Sequence, residues 1–315
     1  MLIRVGATIL YEHLSAAWSM IQTTSKNKGA RAWYRTLRVA LGGACLALFA
    51  ALGFFAWQYF YPVQSADGWR FKVVHRDVPK AASLGPMQDG SLMVSQELPR
   101  GRGTIVRIHP DGRREVMVAN LSKPDGMVAS HGGWVYSQEV EGAMVSFLKD
   151  GEVIDLFKGA HVQGLWNDGD DLYAIEDRKG NGRLFRYRWK DRDLTVVRDD
   201  LNEAESITRC TDGRLLYTEK EKGVIHQLSE DRSDAVILAN LNKPTFLMCD
   251  DRGMWISEDS THRARLLLVD SHGEQRTILS FLKAPQSIVR TATGTYLLAE
   301  GGRNRVLELL PPPDR

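Results

Sequence analysis

Residues 124–158 read PDGMVAS (124–130), HGG (131–133), WVYSQE (134–139), AMVSFLK (143–149), DG (150–151) and EVIDLFK (152–158). Four short apolar runs, rich in valine and aromatics, are separated by turn residues. Asp-Gly and Gly-Gly between such runs are hairpin signals, because glycine and aspartate tolerate the positive φ that tight hairpin turns require. The stretch therefore predicts a four-stranded antiparallel meander, which is one blade of a β-propeller.

The same grammar recurs along the chain. LMVSQE, WVYSQE, LYAIE, LLYTE, MWISE and YLLAE end in Glu97, Glu139, Glu176, Glu219, Glu258 and Glu300, at intervals of 42, 37, 43, 39 and 42 residues. A unit repeated six times at about forty residues marks a propeller array. Sandwich and barrel readings give no reason for six equal units. The sixth unit stops after three strands. FKVVHRDV (71–78), ahead of the first unit, resembles LTVVRDDL (194–201), the fourth strand of unit three. An open edge strand is an aggregation hazard, so residues 71–78 are expected to complete the sixth blade with strands around 286–310. The fold class is thus all-β: a six-bladed propeller of four-stranded blades, closed by an N-terminal strand and preceded by a transmembrane helix.

The crossings between blades carry a second signature: ANLSKPDG, ANLNKPTF, DDLNEAES and SFLKAPQS, with DVPKAASL and FKGAHVQG as looser versions. Pro124, Pro244 and Pro285 suit the first residue of an innermost strand, where a missing N–H is tolerated.

Composition bounds the rest. The 315 residues hold 41 basic and 39 acidic groups. Residues 1–38 take six of the basic groups and one acid, Glu12, so the remainder is slightly acidic, which argues against nucleic acid as a partner. Val39 to Ala66 carries no charge, and its apolar core is long enough to cross a bilayer as a helix. Trp57, Tyr59, Phe60 and Tyr61 form an interfacial belt at its far end. Lys26, Lys28, Arg31, Arg35 and Arg38 flank the near end and hold it in the cytoplasm. The three segments are residues 1–38, cytoplasmic and basic; 39–63, membrane-spanning; and 64–315, the propeller. A cleaved signal peptide, with Val63-Gln64-Ser65 at the cut, is the competing reading. The long apolar run and the 38 residues before it favour an uncleaved anchor. Residues 2–22 are expected as an amphipathic helix on the inner membrane surface. The localisation that follows is a single pass through the inner (cell) membrane, N-terminus inside, propeller in the periplasm. The lipid bilayer is then a partner, with a second membrane or periplasmic protein as a further one.

The repeats resemble the NHL-repeat and gluconolactonase/regucalcin-like propellers over residues 69–310, and the anchor adds a likeness to strictosidine-synthase-like membrane proteins. AEGGRNRVLEL (299–309) is similar to the strand-turn-strand core of an NHL repeat, and NKPTFLMCDDRGMWISED (242–259) to the strand that follows it. The gluconolactonase resemblance implies an axial divalent-metal site with oxygen ligands from the innermost strands. Here Ala82-Ser83-Leu84 replaces that family's Glu-Gly-Pro, its Pro-Asn-Gly motif is missing, and Lys123-Pro124-Asp125-Gly126 matches its Pro-Asp-Gly turn.

Two sets of polar residues are candidates for chemistry. The repeated glutamates occupy six equivalent positions, whereas a functional site is asymmetric even on a symmetric fold. They are expected to accept turn amides or to pair with a neighbouring blade's Arg or Lys. Aligned on them, Ser83, Asp125, Gln163, Glu205, Thr245 and Gln286 fall near the start of each innermost strand, bordering the channel. These differ from blade to blade, as a ligand-binding set must. The leading expectation is a hydrated channel without bound metal; in the alternative, Asp125 and Glu205 provide hard oxygen ligands for Ca²⁺, with Gln163 and Gln286 as neutral carbonyl ligands. His161, two residues before Gln163, is the general-base candidate if the protein hydrolyses its ligand. Zinc-ligand spacing, a phosphate loop and a nucleophile elbow are missing. Cys210 and Cys249 lie near the ends of adjacent innermost strands. They are expected as separate thiols, pairing only if their Cα atoms come within about 7 Å. The reading of function is a ligand- or protein-binding scaffold, with a metal-dependent lactonase- or esterase-like hydrolase as the alternative.

Overall fold

The structure, a computed structural model, describes residues 28–66, 68–259 and 263–312, without the side chains of 28–31, 58 and 59. The helix read over residues 2–22 and His262 lie outside the described residues. The chain divides at Tyr61/Pro62 into two units.

Among the described residues the first unit is one helix, α1 (Lys28–Phe60). It starts ahead of Val39 because the basic segment before the uncharged stretch continues the same helix. Residues Ala32–Trp57 are long and apolar enough to cross a membrane. Its large side chains are exposed, Phe49 at 74% and Phe55 at 67%.

The second unit is a six-bladed propeller, as the repeats predict. After β1 (Gln64–Ser65) and β2 (Arg70–His75), blade one is β3 (Ala81–Pro86), β4 (Leu92–Gln96), β5 (Gly103–Ile108) and β6 (Arg114–Leu121). Blade two is β7 (Met127–Ser130), β8 (Gly133–Tyr136), β9 (Met144–Lys149) and β10 (Glu152–Lys158). Blade three is β11 (Val162–Asp168), β12 (Asp171–Glu176), β13 (Gly182–Arg188) and β14 (Asp193–Leu201). Blade four is β15 (Ile207–Arg209), β16 (Leu215–Glu219), β17 (Val224–Gln227) and β18 (Ala235–Leu238). Blade five is β19 (Pro244–Asp250), β20 (Gly253–Glu258), β21 (Ala264–Val269) and β22 (Gln275–Leu282). Blade six is β23 (Pro285–Arg290), β24 (Tyr296–Glu300) and β25 (Arg305–Leu310), completed by β2. β2 pairs antiparallel with β25, Arg70 opposite Leu310 and His75 opposite Val306, so the N-terminal strand closes the ring.

Local chemistry sets the turns. At Asp150-Gly151 both residues have positive φ, 52° and 82°, between Lys149 and Glu152, which pair directly. That is the two-residue hairpin whose twist matches the strands it joins. Between blades, apolar faces interlock. Trp69, Trp255 and Tyr296 meet edge-on or tilted, with centroids 4.6–5.8 Å apart; Phe157 stacks on Tyr187 at 5.4 Å between blades two and three. Burying each such ring contributes about 1.5–3 kcal/mol.

The linker adds a strand that the repeats do not predict. β1 pairs with β22 on the outer edge of blade five, Gln64 opposite Ser280. Val63, only 8% exposed, joins the aromatic seam there.

Serine hydroxyls tie one blade to the next. Ser83 Oγ accepts from Met127 N at 3.2 Å and Ser206 Oγ from Leu247 N at 3.0 Å. Ser287 Oγ accepts from Leu84 N at 2.9 Å and donates to Ala82 O at 2.8 Å, sealing blade six to blade one.

Candidate functional site

Six residues at the blade crossings share a left-handed backbone: Lys80, Lys123, His161, Glu203, Lys243 and Ala284, with φ between 43° and 53°. Each carbonyl accepts an N–H from the end of its own blade's second strand. The donors are Glu97, Glu139, Asp177, Lys220, Asp259 and Gly301, at 2.8–3.1 Å. These six, not the repeated glutamates, are equivalent by hydrogen bonding. The residue before each donor, namely Gln96, Gln138, Glu176, Glu219, Glu258 and Glu300, turns inward and is buried or nearly so.

The inward residues are structural. Glu176 accepts from Ala160 N, Glu219 from Asn202 N, Glu258 from Asn242 N and Glu300 from Lys283 N, at 2.7–2.9 Å. Gln138 does the same for Ser122 N at 2.7 Å. In blade one the equivalent residue is Pro79, which has no N–H to give, and Gln96 accepts from Thr104 Oγ instead, at 2.6 Å. The cations that pair with these glutamates come from the same blade, whereas the expected neighbouring-blade cation is met at Glu97, 3.7 Å from Lys123 of blade two. Arg183 pairs with Glu176 at 2.8 Å, Arg265 with Glu258 and Arg305 with Glu300 at 2.6 Å.

The glutamate alignment therefore slips by one in blades one and two. Glu97 and Glu139 belong to the ring that borders the channel. The slip also moves the axial position of blade one: Ala82, not Ser83, lies two residues past the left-handed crossing, as Asp125, Gln163, Glu205, Thr245 and Gln286 do. Ser83 sits one step farther in and serves the inter-blade bond to Met127.

Around the mouth the polar groups divide. Asp125 is fully buried, and neither of its carboxylate oxygens has a hydrogen-bond partner. A ligand oxygen from each of Asp125, Glu97 and Glu139 lies within 4.8 Å of the others. Lys123 bonds to Glu139 and lies 3.7 Å from Glu97. Burial first, then the charges of Glu97, Glu139 and Glu205, hold the Asp125 carboxyl well above the usual aspartate range, against Lys123. Gln163 and Gln286 each present a buried side-chain carbonyl oxygen that no donor meets. A Cβ on Gly126 would lie 2.2 Å from Gln163 O, so the glycine after Asp125 is what lets the two strands close up.

Across the mouth, Glu205 is paired. Lys220 bonds to it and reaches Asp259 at 3.3 Å. Burial still pushes Glu205 up to about 8, with Lys220 pulling against it. For Lys220 burial opposes the charge, but Glu205, Asp259 and Asp177 outweigh it and raise the ammonium's pKa. Burial pushes Asp177 up to about 6, helped by Glu139 and Glu203 and opposed by Lys220 and Lys123. Thr245 spends its hydroxyl on Ser257 O at 3.1 Å. His161 Nε2 lies at the rim, 3.9 Å from Glu141, apart from the Asp125 group.

The expected pair Asp125–Glu205 is thus divided: Glu205 goes to Lys220, and Asp125 gathers Glu97 and Glu139. Carboxylate and amide oxygens are the donor set that a hard cation such as Ca²⁺ prefers. Unpartnered buried oxygens are costly without a cation or proton, so the residues fit a divalent ion. Glu97 and Glu139, expected as structural, belong to the site, and Asp177 and Lys220 are further site residues that the sequence alone does not single out. Their signal was the dipeptide QE, QE, ED, EK, ED, EG at each strand end.

Solved structures with this architecture are numerous. A putative gluconolactonase superposes with a TM-score of 0.62 over 78% of this chain and 93% of its own, at 11% identity. The fold is that of the gluconolactonase-like propellers. A gluconolactonase from Xanthomonas campestris shares this propeller fold at TM-score 0.61 and 14% identity, covering 78% of this chain and 90% of its own. Virginiamycin B lyase from Staphylococcus aureus does so at 0.55 and 15%, covering 78% and 90%. In sequence, the adipocyte plasma membrane-associated protein of Salmo salar is 26% identical over 186 residues, 57% of this chain. The chain matches 42% of that curated relative's length. No family profile matches the sequence. The gluconolactonase-like fold places the start of every innermost strand at one channel mouth, where Asp125 stands.

The disulfide expectation is also corrected. Cys210 and Cys249 are bonded, with Cα atoms 4.8 Å apart. Residues 39 apart sit at matching places on adjacent blades, so the repeat itself brings the two sulfurs together. Cys45 is free.

Proposed function

We propose that this protein is a membrane-anchored, extracytoplasmic binding propeller. Its charged mouth holds a divalent cation on Asp125, Glu97 and Glu139, and the cation captures a small, oxygen-rich ligand. The observation that carries this reading is the Asp125 carboxylate, fully buried with two unpartnered oxygens beside two further acids. Gln163 and Gln286 supply neutral oxygens from the same ring. The topology draws on the basic flank of α1, which favours an inside N-terminus. It also draws on the Cys210–Cys249 bond, since disulfides persist in oxidising compartments. An accessory role beside a membrane or periplasmic partner is compatible with the same topology, and co-purification from native membranes checks it.

The test is thermal unfolding of the full chain with Ca²⁺ against chelator. The expected outcome is stabilisation by Ca²⁺ that Asp125→Asn abolishes. Equal melting with and without Ca²⁺ would overturn the cation site.

A second reading, hydrolysis of a lactone or ester, is favoured by Asp177. Its carboxyl titrates at about 6 beside Lys220, which suits a general base near neutral pH. A cation bound at Asp125 would supply polarisation of the ligand carbonyl. Asp177 would take the proton of the attacking water, and the Lys220 ammonium would favour its ionised form. Loss of lactone turnover in Asp177→Asn, with Ca²⁺ stabilisation retained, supports this reading; no turnover by the Ca²⁺-loaded wild type sinks it.

A further inference from the structure

The opposite end of the channel has other chemistry. There a cavity of 260 Å³ opens, lined by consecutive residues from all six innermost strands, none of them ionisable. Its walls include Met127, Val128, Trp134, Trp166, Met248 and Val289. The edge of the Trp134 ring abuts Gly85: a Cβ there would fall 2.2 Å from the ring, so glycine makes the room for the indole. At the level separating this cavity from the charged mouth, five strands present Ser83, Gly126, Gly164, Ser206 and Ser287. The sixth presents Phe246, only 8% exposed, as the floor.

We infer that this cavity is a second binding site, for an uncharged one- or two-ring apolar ligand, independent of the cation site. Four observations set the class. An ion would be stripped of water with no countercharge in the wall. The Ser83, Ser206 and Ser287 hydroxyls already take part in blade-to-blade bonds, so apart from Trp166 Nε1, a buried donor without a hydrogen-bond partner, the wall recognises chiefly shape and apolar area. An apolar cavity of about 150 Å³ holds a benzene-sized guest, and this one is larger. The thioethers of Met127 and Met248 and the two indoles supply adaptable, polarisable contact to aromatic guests.

The test uses the full chain in phosphatidylcholine nanodiscs, in chelator, with 1-naphthol as the probe and 2-naphthalenesulfonate as its charged counterpart. Naphthol is expected to raise the melting temperature by about 5 °C near saturation and to slow oxidation of Met248 by a mild oxidant, read by mass spectrometry. The sulfonate does neither. Val289→Trp, or Val128→Trp from another strand, fills the cavity; whichever melts like the wild type without ligand should lose the naphthol response. An equal response in that variant, an equal response to the sulfonate, or no shift and no Met248 protection in the wild type overturns the inference. The last outcome would leave the cavity to an apolar side chain of a protein partner.

Discussion

Lys220 donates to Glu205 in a buried ion pair at the charged mouth, with Glu205 at 1% and Lys220 at 16% side-chain exposure. One lysine, supplied by the strand-end ring of blade four, removes an axial carboxylate from the ligand set. Removing one partner of such a pair strands a buried charge, at a cost of about 3–5 kcal/mol. Lys220→Met is therefore expected to lower stability by that order, and Lys220→Met/Glu205→Gln to recover much of it. Denaturant unfolding of the three proteins checks the coupling; additive losses would show that the pair is not one unit.

The mouth also predicts how stability follows pH. Below 3.8, the ordinary aspartate value, Asp177 is protonated both folded and unfolded and contributes nothing. Between there and about 6 the unfolded chain ionises while the folded chain keeps its proton, so stability falls as pH rises, by about 3 kcal/mol in all. Asp177→Asn should flatten that part of the profile and leave the protein more stable at neutral pH. Melting curves from pH 4 to 7 for both proteins decide it, and an unchanged slope would count against the raised carboxyl.

Ser287 seals the ring at its closing seam. Ser287→Ala leaves Leu84 N and Ala82 O without partners in a buried place, which costs about 1–3 kcal/mol. The matching change at exposed Thr293 should cost far less. Chemical denaturation of both variants tests whether the seam depends on that hydroxyl.

The disulfide closes a loop of 39 residues, and loop-closure entropy puts its contribution at about 4 kcal/mol. Cys210→Ser/Cys249→Ser should lower the melting temperature accordingly. Alkylation of unreduced, denatured protein from cells should mark Cys45 alone. Marking of all three cysteines would place the propeller in a reducing compartment.

Much of this was legible because turns and strand periods are local. Asp150-Gly151 names its hairpin, and the resemblance of residues 71–78 to 194–201 points to the closing strand without any knowledge of side-chain packing. The site was legible only to within one residue. In SQE both Gln96 and Glu97 end a strand, and only the pairing with Thr104 shows which one turns inward. Ser83 inherited the same slip. The Lys220–Glu205 pair and the Glu97–Asp125–Glu139 group join residues from different blades or strands, and no local pattern encodes such meetings. Nor does one announce β1, whose two residues gain their strand from the edge of β22.

The strand-end pairs have a consequence for how such a mouth diversifies. In five blades the inward Gln or Glu fixes the crossing loop, while the next residue joins that loop through its backbone N–H, a bond that any amino acid except proline supplies; at Glu139 and Lys220 the side chain pairs there as well. Glutamate, aspartate, lysine and glycine already occupy that second place in this one chain. A single codon change at a place whose side chain is outside a buried ion pair, unlike Lys220, alters the electrostatics of the opening and leaves the wall behind it standing. Six such sockets make the rim a surface on which new specificity is accessible one substitution at a time.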